Sequence, residues 1–210
     1  MRTLLLVLLA LLAAVAPATA APAPAPGPVP GAVPLEAGTR LEGPAGSRCA
    51  NGFNVRGHLL VPAGCAPVGA VLRGPGGGVV GPVVHVRPAY AVVRVQDPSA
   101  WRQLPRVVGH PTTVTGSAEA PVGASVCAAG GRTGWRCGTV LAKNQSVHHP
   151  GGTTTGLTRT SLCVQPGDDW LPVVSGGHAQ GHLVGGSGCA SYFFPINKVL
   201  AAEGFTLVTG

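Results

Sequence analysis

Three observations predict an all-β body closed by a single C-terminal helix. Glycine and proline recur so often between residues 36 and 190 that no long helix fits. Short β-branched runs lie between those turns, over 59–61, 79–80, 90–95, 112–115, 139–142 and 171–174. Their spacing and valine content read as short antiparallel strands, hence a sandwich or barrels. The third observation is the run 196–203, which enters just after Pro195 and stops at Gly204. Proline before the first turn and glycine after the last are helix punctuation.

Two segments precede that body. In residues 1–20, Arg2 is followed by an apolar run over 4–15 and by the small-residue site Ala18-Thr19-Ala20. The run is too short for a bilayer, which takes about 20 residues, and the pattern is that of a signal peptide. Residues 21–35 are mostly proline, alanine, glycine and valine, a leader or linker of extended polyproline character with little to bury. No later stretch is long and apolar enough for a membrane helix. A secreted, extracellular, monomeric protein without membrane contact after signal cleavage is expected, and the remaining length suits one domain or two small halves.

Six cysteines, an even number, remain in this exported chain. Export favours disulfides over zinc. No C-x-x-C pair exists, so no metal and no cofactor are expected. Net charge is +7, or +6 without Arg2, and twelve of the fourteen basic residues are scattered arginines. No basic stripe with aromatic platforms is visible, which argues against nucleic acid as partner. The excess charge serves solubility, with weak attraction to anionic cell-wall polymers.

From residue 47 onward, ordered motifs carry a resemblance. RCANGFNVRG (48–57), YAVVRVQDPSAW (90–101), VGASVCAAGGRTGWRCGTVLAKNQSV (122–147), GLTRTSLCVQPGDDW (156–170), QGHLVGGSGC (180–189) and YFFPINKVLAAEGFTLVTG (192–210) follow one another in the chain. Together they resemble streptogrisin-like, chymotrypsin-fold bacterial serine proteases, least well over 58–88. The resemblance implies two packed six-stranded antiparallel β-barrels, residues 36–112 and 113–210, the second carrying the terminal helix. It also implies disulfides Cys49–Cys65, Cys127–Cys137 and Cys163–Cys189, one of fifteen possible pairings. Each closes a short loop and contributes about 3 kcal/mol in the chain-entropy account.

Acyl transfer in that family uses a serine nucleophile, a histidine base and an orienting carboxylate. The resemblance places these at three positions, and the sequence departs at each. The histidine belongs to a TAGHC motif, and the matching residues are Val61-Pro62-Ala63-Gly64-Cys65. Either the histidine is deleted and Cys65 is the disulfide cysteine, or Cys65 replaces the histidine and Ala66 the cysteine; cysteine parity favours deletion. Ala89 stands where the aspartate belongs, before Tyr90. Asp169 occupies the serine slot in Gly167-Asp168-Asp169-Trp170-Leu171-Pro172. Trp170 and Leu171 replace two glycines and are expected to crowd the cleft. Val184 replaces a serine that supports the aspartate, and Ala128 replaces an arginine. The expectation drawn is a catalytically inactive homologue and weak binder of extended peptides, along the edge Val184-Gly185-Gly186. The alternatives are a serine-type endopeptidase with an unorthodox active site, or a functionless remnant.

The remaining candidates read as ordinary residues. His58 and His85 lie nearest in sequence to the lost positions. His148 and His149 are adjacent, so on a strand they face opposite sides. His178 and His182 share one strand face about 13 Å apart, and His110 stands alone. Asp168-Asp169 is a weak acid/base pair, and Ser187 has no evident base. The glycine-rich run 185–188 lacks the lysine and helix of a phosphate loop.

Overall fold

A computed structural model of the chain describes residues 31–130, 134–149, 152–165, 168 and 171–210. The expected signal peptide and most of the leader lie outside the described residues, as do Asp169 and Trp170. The first half contains β1 (Val33–Ala37), β2 (Arg40–Glu42), β3 (Arg48–Ala50), β4 (Asn54–Val55), β5 (His58–Val61) and β6 (Val71–Arg73). It continues with β7 (Val79–Val86), β8 (Ala91–Arg94), β9 (Trp101–Val107) and β10 (His110–Thr113). The second half has β11 (Ser125–Gly130), β12 (Gly134–His149), β13 (Gly152–Thr160), β14 (Pro172–Ser175), β15 (His178–Ser187) and β16 (Ala190–Pro195), then helix α1 (Ile196–Glu203).

Each β-branched run read from the sequence overlaps a strand, and the helix spans the predicted residues. Gly204 caps α1 in the left-handed region at φ 67°, where its N–H bonds to the Leu200 carbonyl. The second half is a closed six-stranded barrel in the order β11-β12-β13-β16-β15-β14. The first half reaches its barrel-like form differently from six antiparallel strands. It has a seven-stranded sheet, β3-β2-β6-β7-β8-β5-β4, and a three-stranded sheet, β1-β9-β10, in which β1 runs parallel to β9.

That parallel pair uses residues the composition assigned to the leader. Val33 pairs with Trp101, and Leu35 is fully buried. A sidechain network holds it in place. Buried Asn54 donates through Nδ2 to the carbonyls of Leu35 (2.7 Å) and Leu104 (2.9 Å), while Asn51 Nδ2 donates to Asn54 Oδ1 at 2.8 Å. Bonds to a neighbouring strand's carbonyls are not readable from local composition.

The buried apolar residues form three clusters. One fills the first half, with Leu35, Leu41, Leu59, Leu72, Val93 and Trp101 among its members. Gly74 and Gly78 admit the Trp101 ring, since a Cβ on either would lie 2.6 or 3.0 Å from it. A second fills the closed barrel, around Val126, Val140, Leu162 and Leu183. The third is the seam between the halves, where Phe53, Val55, Leu60, Val92 and Val107 meet Val174, Ala179, Ile196, Val199 and Leu207. Full burial of each large aliphatic side chain contributes about 1.5–3 kcal/mol, so this seam makes the halves one cooperative body.

The far end of α1 is tied to the first half by charge. Glu203 accepts from Arg87 Nε at 2.9 Å and from the Tyr90 hydroxyl at 2.9 Å, with His85 Nδ1 3.0 Å away. Burial works against ionisation of Glu203, but the bonds from Arg87, Tyr90 and His85 outweigh it and hold the carboxyl below its usual range. Burial, with the carboxylate second, pushes the Tyr90 phenol up to about 12. Tyr90→Phe removes one charge-accepting bond from a buried site and is expected to cost about 1–2 kcal/mol. Urea unfolding monitored by circular dichroism measures it; an unchanged midpoint would mean that the helix is anchored by packing alone.

Candidate functional site

The structure disperses the residues flagged from the sequence: Cys65 lies in the first-half core, Ala89 in the seam, and Ala128 and Leu171 in the closed-barrel core. Cys65 ends a tight turn whose N–H bonds to the Pro62 carbonyl at 3.0 Å, and it is joined to Cys49. That disulfide fits the deletion reading of the 61–65 motif. The other two disulfides join Cys127 to Cys137 and Cys163 to Cys189.

Ala89 sits just before β8, 8% exposed, within the apolar seam. Its carbonyl accepts a hydrogen bond from His182 Nε2 at 3.3 Å, across the two halves. A carbonyl can only accept, so Nε2 carries the proton and the ring is the neutral Nε2–H tautomer. His182 is completely buried, against Gly52, whose Cβ would lie 3.1 Å from the His182 Cβ, and near the Phe194 ring at 6.0 Å. Burial lowers its pKa to about 3, and the Ala89 bond opposes this only in part. His182 is therefore a neutral donor across the interface at neutral pH.

The 167–172 stretch is divided. Asp168 is 2% exposed, and its Oδ2 accepts from the Gln165 N–H at 3.1 Å. Leu171 does not crowd the cleft as the sequence suggested. It is buried in the closed-barrel core, and its carbonyl accepts from the Leu183 N–H. Leucine replaces glycine there without obstructing the site because its side chain turns into the barrel. Ala128 also lies in that core, paired across the strands with Arg136 and Val173.

Val184, Gly185 and Gly186 lie on β15. One edge of this segment pairs with β16, through Gly185 opposite Tyr192 and Gly186 opposite Ser191. The register shifts between Leu183 and Gly185, which makes Val184 the bulged residue. On the other side β14 runs only as far as Pro172, opposite His182. Among the described residues no strand pairs with that edge over 184–187. A cavity of about 210 Å³ lies beside it, lined by Arg136, Cys163, Val164, Gln165, Gly188 and Cys189. The glycine-rich run 185–188 ends β15 and bridges Val164.

The other histidines are dispersed. His58 stacks on Phe205 (4.9 Å between centroids), His85 lies on Glu203, and His110 stacks on Trp135 at 3.5 Å. His148 and His149 bond separately to Thr153 and Thr154, and His178 accepts from the Ala118 N–H. Neither His58 nor His85 is brought to the cleft; both engage the terminal helix and tail. Ser187 is exposed at the end of β15. No three His, Cys, Asp or Glu side chains converge as a metal site among the described residues. Sequence reasoning passed over His182 as a strand histidine. Its signal was the setting, one imidazole inside the apolar, glycine-rich QGHLVGG.

No family model matches the chain. Streptogrisin-C of Streptomyces griseus is 42% identical over 168 residues, covering 76% of this chain and 35% of that protein. The chain thus spans about a third of that relative's length. Among solved structures, chymotrypsin of Cellulomonas bogoriensis superposes with a TM-score of 0.76 at 34% identity, over 85% of this chain and 100% of that one. Protease A of Thermobifida fusca gives 0.74 at 36% identity, over 85% and 100%. These proteins are proteases, and they correct the expectation of an inactive, non-enzymatic homologue. Replaced motif positions do not demonstrate lost catalysis, and the 169 slot on which that expectation leaned lies outside the described residues. By sequence and by fold, the chain belongs to the streptogrisin-like, chymotrypsin-fold family of bacterial serine proteases.

Proposed function

We propose that the chain is an exported serine-type endopeptidase with an unorthodox set of active-site groups, acting on polypeptides that dock as an added strand. The observation that carries this reading is the edge of β15 over 184–187, with which no strand pairs among the described residues. Main-chain donors and acceptors along such an edge bind extended peptides irrespective of sequence. Family membership supplies the reaction class. Three disulfides, and no helix among the described residues long and apolar enough to cross a membrane, support action outside the cell.

The hydrolytic groups differ from the family set, since Ala89 offers the cleft only a methyl group and His182 is committed to the Ala89 carbonyl. Protease scaffolds with altered triads retain roughly 10³–10⁴-fold catalysis over water, from oxyanion stabilisation and binding. Turnover of that order is the expectation. Long incubations of the purified, oxidised chain with casein and peptide anilides, read by mass spectrometry, measure it. Fragments above a buffer control, lost on disulfide reduction, are expected; their absence overturns the peptidase reading.

The docking edge has its own test. A Cβ at Gly186 would lie 2.6 Å from the Ala190 carbonyl oxygen. Gly186→Ala must therefore displace the edge, and kcat/KM is expected to fall at least about tenfold, the effect of misplacing a bound substrate. An unchanged kcat/KM would move the substrate site elsewhere.

A further inference from the structure

Eight arginines but only three carboxylates fall between residues 31 and 117. Some of this charge faces a carboxylate: Glu42 stands across the strands from both Arg48 and Arg73, and Arg87 forms an ion pair with Glu203. Around the tail beyond α1 it is not. His58 and Arg94 are directly opposed on β5 and β8, so their side chains share a face. Arg56 occupies the turn one residue from β5, and its N–H bonds to the Thr206 carbonyl at 2.9 Å. His85 pairs with Val92, on the same face two residues along β8 from Arg94. Arg56 and Arg94 are exposed, and no carboxylate pairs with either among the described residues. The neighbouring acids are engaged: Glu203 by Arg87 and Tyr90, and Asp97 by Ser99 and the Ala100 N–H.

We propose that Arg56, His58 and Arg94 form a docking surface for a flexible phosphodiester polymer without bases, of the polyol-phosphate kind. Guanidinium forks match phosphate oxygens in paired hydrogen bonds. Two exposed arginines, one in the turn before β5 and one on β8 opposite His58, present such donors beside an imidazole. Nucleic acid fits less well, because bases need open aromatic platforms. The aromatic ring at this surface, Phe205, is already covered by His58. The surface lies at the tail end of the seam, apart from the β15 edge, so the enzyme would be held on an anionic wall polymer with its cleft free.

The test is titration of the oxidised chain with poly(glycerol phosphate), followed by amide shifts and at two salt concentrations. Shifts confined to residues near 56–58, 94 and 205, and affinity falling with salt, are expected. The double variant Arg56→Ser/Arg94→Ser should lose at least about tenfold in affinity. Arg40→Ser/Arg48→Ser removes the same charge from β2 and β3 and should stay within about threefold. Equal losses in both variants would reduce the effect to net charge and overturn the proposal. So would tighter binding of duplex DNA through the same residues, or no binding at low salt. Because shift mapping uses the unaltered chain, a poorly folded variant leaves the proposal testable.

A second prediction rests on the buried imidazole at the seam. The folded chain keeps His182 neutral down to about pH 3, whereas an unfolded imidazole protonates near 6.5. A depressed histidine pKa makes its stability contribution complete above about 6.5 and progressively lost as pH falls toward 3. His182→Leu is expected to flatten the decline in melting temperature between pH 7 and 4, even if it lowers stability at pH 7 by baring the Ala89 carbonyl. An unaltered slope would show that the acid response arises elsewhere.

Discussion

The contact on which the rest depends is the seam between the two halves, with a hydrogen bond from His182 to the Ala89 carbonyl at its centre. Each half has its own apolar core, but neither core extends across the boundary. What crosses is the third cluster, this buried polar bond, and the bonds that tie the first half to α1 and the tail. A buried carbonyl left unpaired costs about 1–3 kcal/mol, so the bond fixes register where apolar contacts alone would tolerate sliding. The ring stays neutral there because burial penalises its charged form.

Two further devices use directed bonds. Within the first half, the Asn51–Asn54 pair fastens β1 and β9 to β4 through backbone carbonyls. Across the seam, Glu203 gathers Arg87, Tyr90 and His85 onto the last residue of α1. The disulfides act within halves: Cys49–Cys65 in the first, and Cys127–Cys137 and Cys163–Cys189 in the second. They limit the unfolded chain and leave the relation between halves to the seam.

For function, scaffold and chemistry separate. The bulge at Val184 and the start of β14 at Pro172 leave residues 184–187 unpaired along one edge among the described residues. That feature depends on strand lengths and is indifferent to which side chain occupies position 89. The groups that break a bond depend on single side chains, so binding along a main-chain edge and bond breaking are separable features of one scaffold.

The sequence by itself determined the strand-rich class, the terminal helix with its glycine stop, and the ordered motifs that mark the family. Those features are local: turn residues, β-branched runs and fixed spacings act over a few neighbours. It also showed the alanine at 89 and the cysteine that closes the 61–65 segment. Only the tertiary structure decided the parallel pairing of β1, the burial of Leu171 in the barrel and the role of Glu203. It also turned His182 from one strand histidine among several into the donor that joins the halves. The reason in each case is distance along the chain: Ala89 and His182 are separated by 93 residues, and Tyr90 and Glu203 by 113. No local pattern records such a meeting, because it is the closing of two sheets around a shared seam that brings those atoms within hydrogen-bond reach.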